Sequence, residues 1–106
     1  MKSRTDLSPI FKDILSKKYD KFKVYFQPPA GQKIEYPCIV YQLASLSTSY
    51  ANDAIYRKDN HYTVTIIGTD PDNDILIDEM LKLKYCSFDR RFISDNMYHD
   101  VFDLYY

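Results

Sequence analysis

The stretch that decides the fold is HYTVTII at residues 61–67, which alternates between two kinds of side chain. The residues at 62, 64 and 66 are large and apolar or aromatic, and the threonines between them are polar, which predicts a strand with one buried face. A second stretch, YPCIVY at 36–41, begins a strand that is expected to reach residue 46. Both of its faces are largely apolar, which favours a position inside a sheet.

Two helices are expected on either side of these strands. Ser8 and Pro9 suit the N-cap and the first position of a helix whose apolar residues follow at helical spacing, and this helix should end near Tyr19. Asp70 and Pro71 have the same arrangement and predict the start of a second helix.

The remaining segments complete the element order α-β-β-β-α-β-β. A short strand is predicted at 22–26, and a terminal hairpin at 88–94 and 97–106 turns at Asp95-Asn96. Residues 45–60 are polar and are expected to form a long connection between the two central strands. The order predicts an α+β domain, with an antiparallel sheet and both helices on one face. Residues 1–106 are expected to form this single domain.

Composition excludes several classes of function. The chain has two glycines, Gly31 and Gly68, whereas glycine-rich nucleotide loops need two or three close together. No apolar run approaches the roughly 20 residues of a membrane-spanning helix, so no membrane partner is expected. The polar N-terminus lacks the apolar stretch of a secretory signal, and we therefore expect a reducing compartment and free thiols.

No arrangement of side chains predicts catalysis, a metal or a cofactor. Cys38 and Cys86 are far apart, and the two histidines lack ligand-like spacing to them. Cys38 with His61 or His99 is the best candidate for a nucleophilic pair, but an apolar strand would bury this thiol and make it inert. The aspartates at 70, 72 and 74 lack the glycine and the glutamate of a calcium loop. We expect a protein that is not an enzyme.

Charge is divided unequally along the chain. Residues 1–34 contain eight Lys and Arg against three Asp, a net charge of +5, and residues 35–106 contain six against twelve Asp and Glu, a net charge of −6. Such a division suits contact between charged surfaces, including those of two copies of the chain. It is equally compatible with a first helix whose lysines are solvated.

A nucleic-acid-binding module is the alternative function. Its basis is a set of lysines interleaved with the aromatic residues at 19, 22 and 25, which could follow a phosphate backbone and stack on bases. The isoelectric point near 6.0 argues against it, because domains that bind nucleic acid by charge are usually basic overall. The lysines concerned are Lys12, Lys17, Lys18, Lys21 and Lys23.

Three stretches together resemble the small tail terminator (tail completion) proteins of long-tailed bacteriophages. They are YPCIVY at 36–41, YANDAIY at 50–56 and HYTVTII at 61–67, and the aromatic ending FDLYY at 102–106 is also similar to that family. The resemblance implies a virion assembly protein that forms a ring, usually a hexamer, at the head-proximal end of the tail tube. Such a ring stops tube polymerisation and provides the head-joining surface.

The resemblance also implies partners and a location. The partners would be further copies of the chain, the major tail tube protein, the head-tail connector protein, and genomic DNA that passes through the lumen without sequence readout. The protein would be found in the virion, and in the host cytoplasm during assembly. The abundance of tyrosine, at 11 residues, suits interfaces.

Two sets of residues are expected to make these contacts. The polar connection is predicted to grip a neighbouring copy or the tube, and a pair of adjacent arginines near the C-terminus is a possible lumen-facing or DNA-facing spot. The protein-contact set is Tyr50, Asn52, Asp53, Tyr56 and Arg57, and the lumen set is Arg90 and Arg91.

Overall fold

The computed structural model describes residues 4–51 and 54–106, with side chains described for 5–44 and 60–106. It has an α+β architecture of two α-helices and one five-stranded sheet, as predicted. A short 3-10 helix at Arg4–Asp6 precedes α1. The other elements are α1 (Leu7–Ser16), β1 (Lys23–Phe26), β2 (Cys38–Ala51), β3 (Ala54–Gly68), α2 (Asp74–Leu81), β4 (Cys86–Ser94) and β5 (Met97–Tyr105).

The sheet has the strand order β1-β2-β3-β5-β4 and is mostly antiparallel. The prediction of an antiparallel sheet was wrong for one pair, because β1 runs parallel to β2, with Lys23 opposite Cys38 and Phe26 opposite Tyr41. The reason is the length of the intervening segment. Residues 27–37, which include three prolines, are long enough to lead the chain back and start β2 in the same direction as β1.

Both helices pack on one face of the sheet, where the core lies. Phe11 of α1 and Met80 of α2 are fully buried there against Tyr41, Val64 and Phe102. The Phe11 and Tyr41 rings meet edge to face, with 5.0 Å between their centroids. The alternation predicted for residues 61–67 is confirmed, since Tyr62, Val64 and Ile66 all belong to this core.

The helices begin elsewhere than predicted. The first starts at Leu7, with Asp6 in the N-cap position, so Ser8 lies inside it. The second starts at Asp74, because the Asp70 carboxylate accepts a hydrogen bond from the Asp72 backbone N–H at 2.8 Å and forms a turn ahead of the helix.

The polar segment 45–60 is not a loop, which corrects the prediction. Both central strands continue through it, and β2 and β3 pair from Cys38 opposite Ile67 to Ala51 opposite Ala54. Hydroxyl-rich sequences are compatible with strands, because threonine and tyrosine favour the extended backbone. Two shifts in register, at Leu43/Ser45 and Ser49/Tyr50, interrupt the pairing.

Candidate functional site

The far half of the β2–β3 hairpin projects from the sheet as a two-stranded ribbon, which we define as residues 45–51 and 54–60. The flanking strands end before it, because β1 covers β2 only as far as Tyr41 and β5 covers β3 only as far as His61. Seven residues at about 3.4 Å each give the ribbon a length of roughly 23 Å. The long axis of the molecule measures 51 Å, against 31 and 23 Å for the others.

Both long edges of the ribbon lack a neighbouring strand in the described part of the chain. A hairpin of two strands is marginally stable on its own in water, and its open edges are templates for pairing with another chain. The ribbon is therefore a candidate contact element.

Three of the five residues predicted to contact other proteins, Tyr50, Tyr56 and Arg57, lie in the ribbon. Tyr50 is opposite Ile55 in the register, and Arg57 is opposite Ser49. Tyr56 belongs to β3 next to the second shift in register. Asn52 and Asp53 lie outside the described residues. The backbone thus places these three residues on one extended ribbon, and their role as contacts stays a prediction.

Strand β4 forms the opposite edge of the sheet and carries exposed apolar side chains, which the sequence analysis missed. Every residue from 87 to 94 is exposed. Phe88, Phe92 and Ile93 expose 42%, 40% and 65% of their surface. The signal available in the sequence was FDRRF at 88–92, in which two aromatic residues flank a break in the alternation. A β-bulge occurs there, between Phe88 and Arg90.

The two arginines predicted to face a lumen have different surroundings. The Arg91 side chain is 33% exposed and is paired with groups of this chain, donating from Nε to Asp100 Oδ1 at 2.5 Å and from Nη1 to the Pro71 carbonyl at 2.8 Å. Arg90 is exposed and forms an ion pair of 2.6 Å with its neighbour Asp89. Arg90 is therefore the member of the pair whose charge lies on the surface.

A buried polar network ties the second helix to the edge of the sheet. Asp100 is fully buried and accepts from Arg91 and from the Asn73 side-chain amide, the latter at 3.2 Å. Asn73 is 1% exposed, and its side-chain oxygen accepts from Lys18 Nζ at 3.0 Å. Among the described side chains, every buried polar atom has a partner. The network explains why charged groups are found in this part of the core.

Ion pairs within the chain neutralise part of the positive charge of residues 1–34. Lys18 Nζ lies 2.6 Å from Asp70 Oδ2, and Lys17 Nζ lies 4.0 Å from Glu79 Oε2. The hydrogen bond from Lys18 and that from the Asp72 backbone lower the pKa of Asp70 below its usual value of 3.8. The basic first helix thus faces acidic groups of this same chain.

The sheet face opposite the helices, which we call the open face, carries two stacked ring pairs. The His61 and Tyr105 rings lie 4.7 Å apart, and those of Phe92 and His99 lie 4.6 Å apart. His61 Nε2 also lies 2.7 Å from Asp103 Oδ1.

The thiols lack the properties of catalytic cysteines. Cys38 is fully buried, and burial raises the pKa of its thiol to about 12. Burial also raises the pKa of Cys86 to about 11, with a smaller effect of the Asp103 carboxylate. Cys38 and His99 are both opposite Ile67, on either side of β3, so about 10 Å separates their backbones. At neutral pH neither thiol is a nucleophile.

An open groove of about 560 Å³ lies beside the start of β1. Asp20 and Glu35 line it together with Lys21 and Lys23, so its formal charges cancel. Lys23 Nζ is 3.9 Å from Glu35 Oε2. A balanced groove of this kind has no preference for a polyanion.

The searches for a metal site and a membrane segment gave negative results for the described residues. No three His, Cys, Asp or Glu side chains in that part of the chain are grouped so that they could hold a metal ion. No helix in it is long and apolar enough to cross a membrane. Comparison with known proteins found no matching family model and no matching curated protein.

Proposed function

We propose that this chain is a non-enzymatic virion assembly protein, which forms a ring at the head-proximal end of a phage tail tube. The observation that carries the proposal is a sheet with two different uncovered edges, one along β4 and one along the ribbon. A ring needs two different complementary surfaces on each copy, because its contacts are heterologous. These edges are on opposite sides of the sheet and meet that requirement.

The choice of a phage tail rests on the resemblance of the stretches at 36–41, 50–56 and 61–67 to tail terminator proteins. In this role the ring ends tube polymerisation and offers its other side to the head connector. The ribbon, about 23 Å long, can reach the last turn of the tube or a neighbouring copy. Genomic DNA passes through the lumen without being read.

The alternative function, a nucleic-acid-binding module, has less support. Three of the five lysines on which it depends, Lys17, Lys18 and Lys23, contact acidic groups of the chain itself. Each such pair reduces the positive field available to phosphates.

The test combines the mass of the purified protein with its effect on tail tubes. We expect light scattering to report a closed oligomer, and electron microscopy to show rings at one end of tubes that stop growing when the protein is added. A chain that remains monomeric at all concentrations and leaves tube growth unchanged would refute the proposal. Salt-dependent retardation of labelled DNA, lost in a variant with Lys12 and Lys21 replaced, would favour the alternative instead.

A further inference from the structure

The outer edge of β4 has a bulge and charged side chains, but it is neither short nor interrupted by proline. Natural edges are commonly short or interrupted by proline. The opposite edge has both, since β1 is four residues long and is followed by Pro28 and Pro29. Strand β4 has nine residues without proline or glycine. Its bulge is confined to Asp89, which leaves residues 90–94 as a regular exposed stretch.

The first ribbon strand offers a second free edge on the other side of the sheet. The segment that follows β1 covers this edge of β2 only as far as Leu43, whose backbone N–H donates to the Gln27 side-chain oxygen at 3.1 Å. Beyond that point, residues 45–51 of β2 pair with β3 on one side only, as far as the structure describes the chain. This free edge of seven residues is therefore long enough to accommodate the five residues of the regular part of β4.

The strand directions of these two edges are compatible. Because β1 and β2 are parallel and all other neighbours are antiparallel, β2 and β4 run in opposite directions. If β4 of one copy lies beside β2 of the next, the new pair is antiparallel, like most pairs in this sheet.

Charge distinguishes the two edges of the ribbon. Residues 45–51 of β2 contain no charged side chain, whereas the β3 edge contains Arg57, Lys58 and Asp59, a net charge of +1. Arg90, at the start of the regular part of β4, is exposed. Like charges that face each other across a strand pair are destabilising, so β4 is better matched to β2 than to β3.

We propose that neighbouring copies are joined by strand addition, in which residues 90–94 of β4 pair with residues 45–51 of β2 in the next copy. This inference rests on the proposed ring and identifies the contact that closes it. The contact covers both free edges with main-chain hydrogen bonds, and the exposed side chains of Phe92 and Ile93 are covered by the adjoining ribbon. Pairing β4 with β4 would leave the ribbon uncovered and would give a two-fold dimer.

The contact requires a displacement of each copy along the strand direction. The ribbon begins where β5 ends, near Tyr105, and β4 lies alongside β5 on the other side of that point. A ring with this displacement has strands that are tilted from its axis, as in closed barrels.

Cysteine cross-linking between two singly substituted preparations tests the contact. Arg90→Cys is mixed in turn with Ser45→Cys, Ser47→Cys and Ser49→Cys, and oxidised. For comparison with the β3 edge of the ribbon, Arg90→Cys is mixed with Lys58→Cys. The native thiols are common to all samples and have raised pKa values, so they contribute a constant background.

We expect a cross-linked dimer on denaturing gels for at least one of the three β2 positions, at ten times or more the yield of the β3 comparison. Self-linking of Arg90→Cys, or preferential linking to Lys58→Cys, would overturn the inference. Rings that form without any of these cross-links would overturn strand addition but leave the proposed function intact. If neither rings nor cross-links form, the proposed function fails and the inference fails with it.

A charge on the edge gives an independent test with a matched control. Ile93→Lys places a cation on the β4 edge, and Ile75→Lys makes the same change on the exposed side of α2. Ile93 and Ile75 are 65% and 55% exposed. We expect Ile93→Lys to shift ring formation to at least tenfold higher protein concentration, and Ile75→Lys to leave it unchanged. Equal effects of both substitutions would contradict the inference.

Discussion

At the scale of single residues, Asp100 is the most constrained polar group described. It is fully buried, and its two oxygens accept from Arg91 and Asn73. The cost of burying its charge is offset by these partners, and removing the carboxylate leaves both of them unsatisfied. A change at Asp100 should therefore act on the fold itself and only through the fold on assembly.

We expect Asp100→Ala to lower the free energy of unfolding by about 2–4 kcal/mol, because Arg91 and Asn73 lose their acceptor. The loss is not larger because the Arg91 guanidinium retains partial solvation. Urea unfolding followed by circular dichroism measures this change. Asp103→Ala is the control, since it removes a partly exposed carboxylate from the same strand and should cost less than about 1 kcal/mol. Similar losses for the two variants would show that the buried network has no special role in stability.

The Lys18–Asp70 ion pair predicts a pH effect with a definite sign. The pKa of Asp70 is lowered from 3.8 in the folded chain, mainly by the hydrogen bond from Lys18. The contribution to stability is therefore present above the usual pKa and is lost as the pH falls through the folded value. Lys18→Met should flatten the decline in unfolding free energy below about pH 4.

The control for this experiment is Lys12→Met, the same change at an exposed lysine of the first helix. It should retain the acid dependence of the original chain. Because Lys18 also bonds to Asp72 and Asn73, its loss will lower stability at neutral pH as well, and the slope with pH is the informative quantity. An unchanged slope in Lys18→Met would contradict the assigned cause.

At the scale of elements, local patterns predicted the types of structure well and their ends less well. The alternation at 61–67 and the Asp95-Asn96 turn were read correctly, and the turn residues adopt the positive φ angles of 54° and 62° that a two-residue hairpin favours. Asp70 was misassigned as a cap because an aspartate can satisfy a turn as readily as a helix N-terminus. Here the Asp70 carboxylate accepts from the Asp72 backbone N–H and also from Lys18, which is 52 residues away in the sequence.

In the candidate site too, the sequence predicted some features of the elements and missed others. The polar composition of 45–60 led to the wrong prediction of a long connection, because hydroxyl residues in a strand cannot be told from those in a loop without knowing the pairing. Strand β4 was predicted as part of a terminal hairpin, yet its position at the sheet edge depends on β5 being inserted beside β3. Edge and centre are properties of the whole sheet, and they determine which strands can meet another chain.

At the scale of the whole molecule, folding and assembly use different parts of the chain. The described core extends toward the ribbon only as far as Tyr41 and Tyr62. The neighbouring strands β1 and β5 end at the same level. Beyond that level the described ribbon strands pair only with each other, apart from the Asn60 carbonyl, which accepts from the Tyr106 backbone N–H at 3.0 Å. The ribbon should therefore be separable from the fold.

Shortening the ribbon tests this separation. Leu46 and Asn60 are opposite each other in the register, so an Asn-Gly turn can join them in place of residues 47–59. We expect the shortened chain to stay folded, with an unfolding free energy within about 1 kcal/mol of the original, because the removed segment lies beyond the described core. It should lose ring formation in light scattering. Asp53→Gly is the control, since it introduces the same Asn-Gly sequence without shortening the chain and should still form rings. Unfolding of the shortened chain, or rings of normal mass from it, would show that the ribbon does not divide folding from assembly.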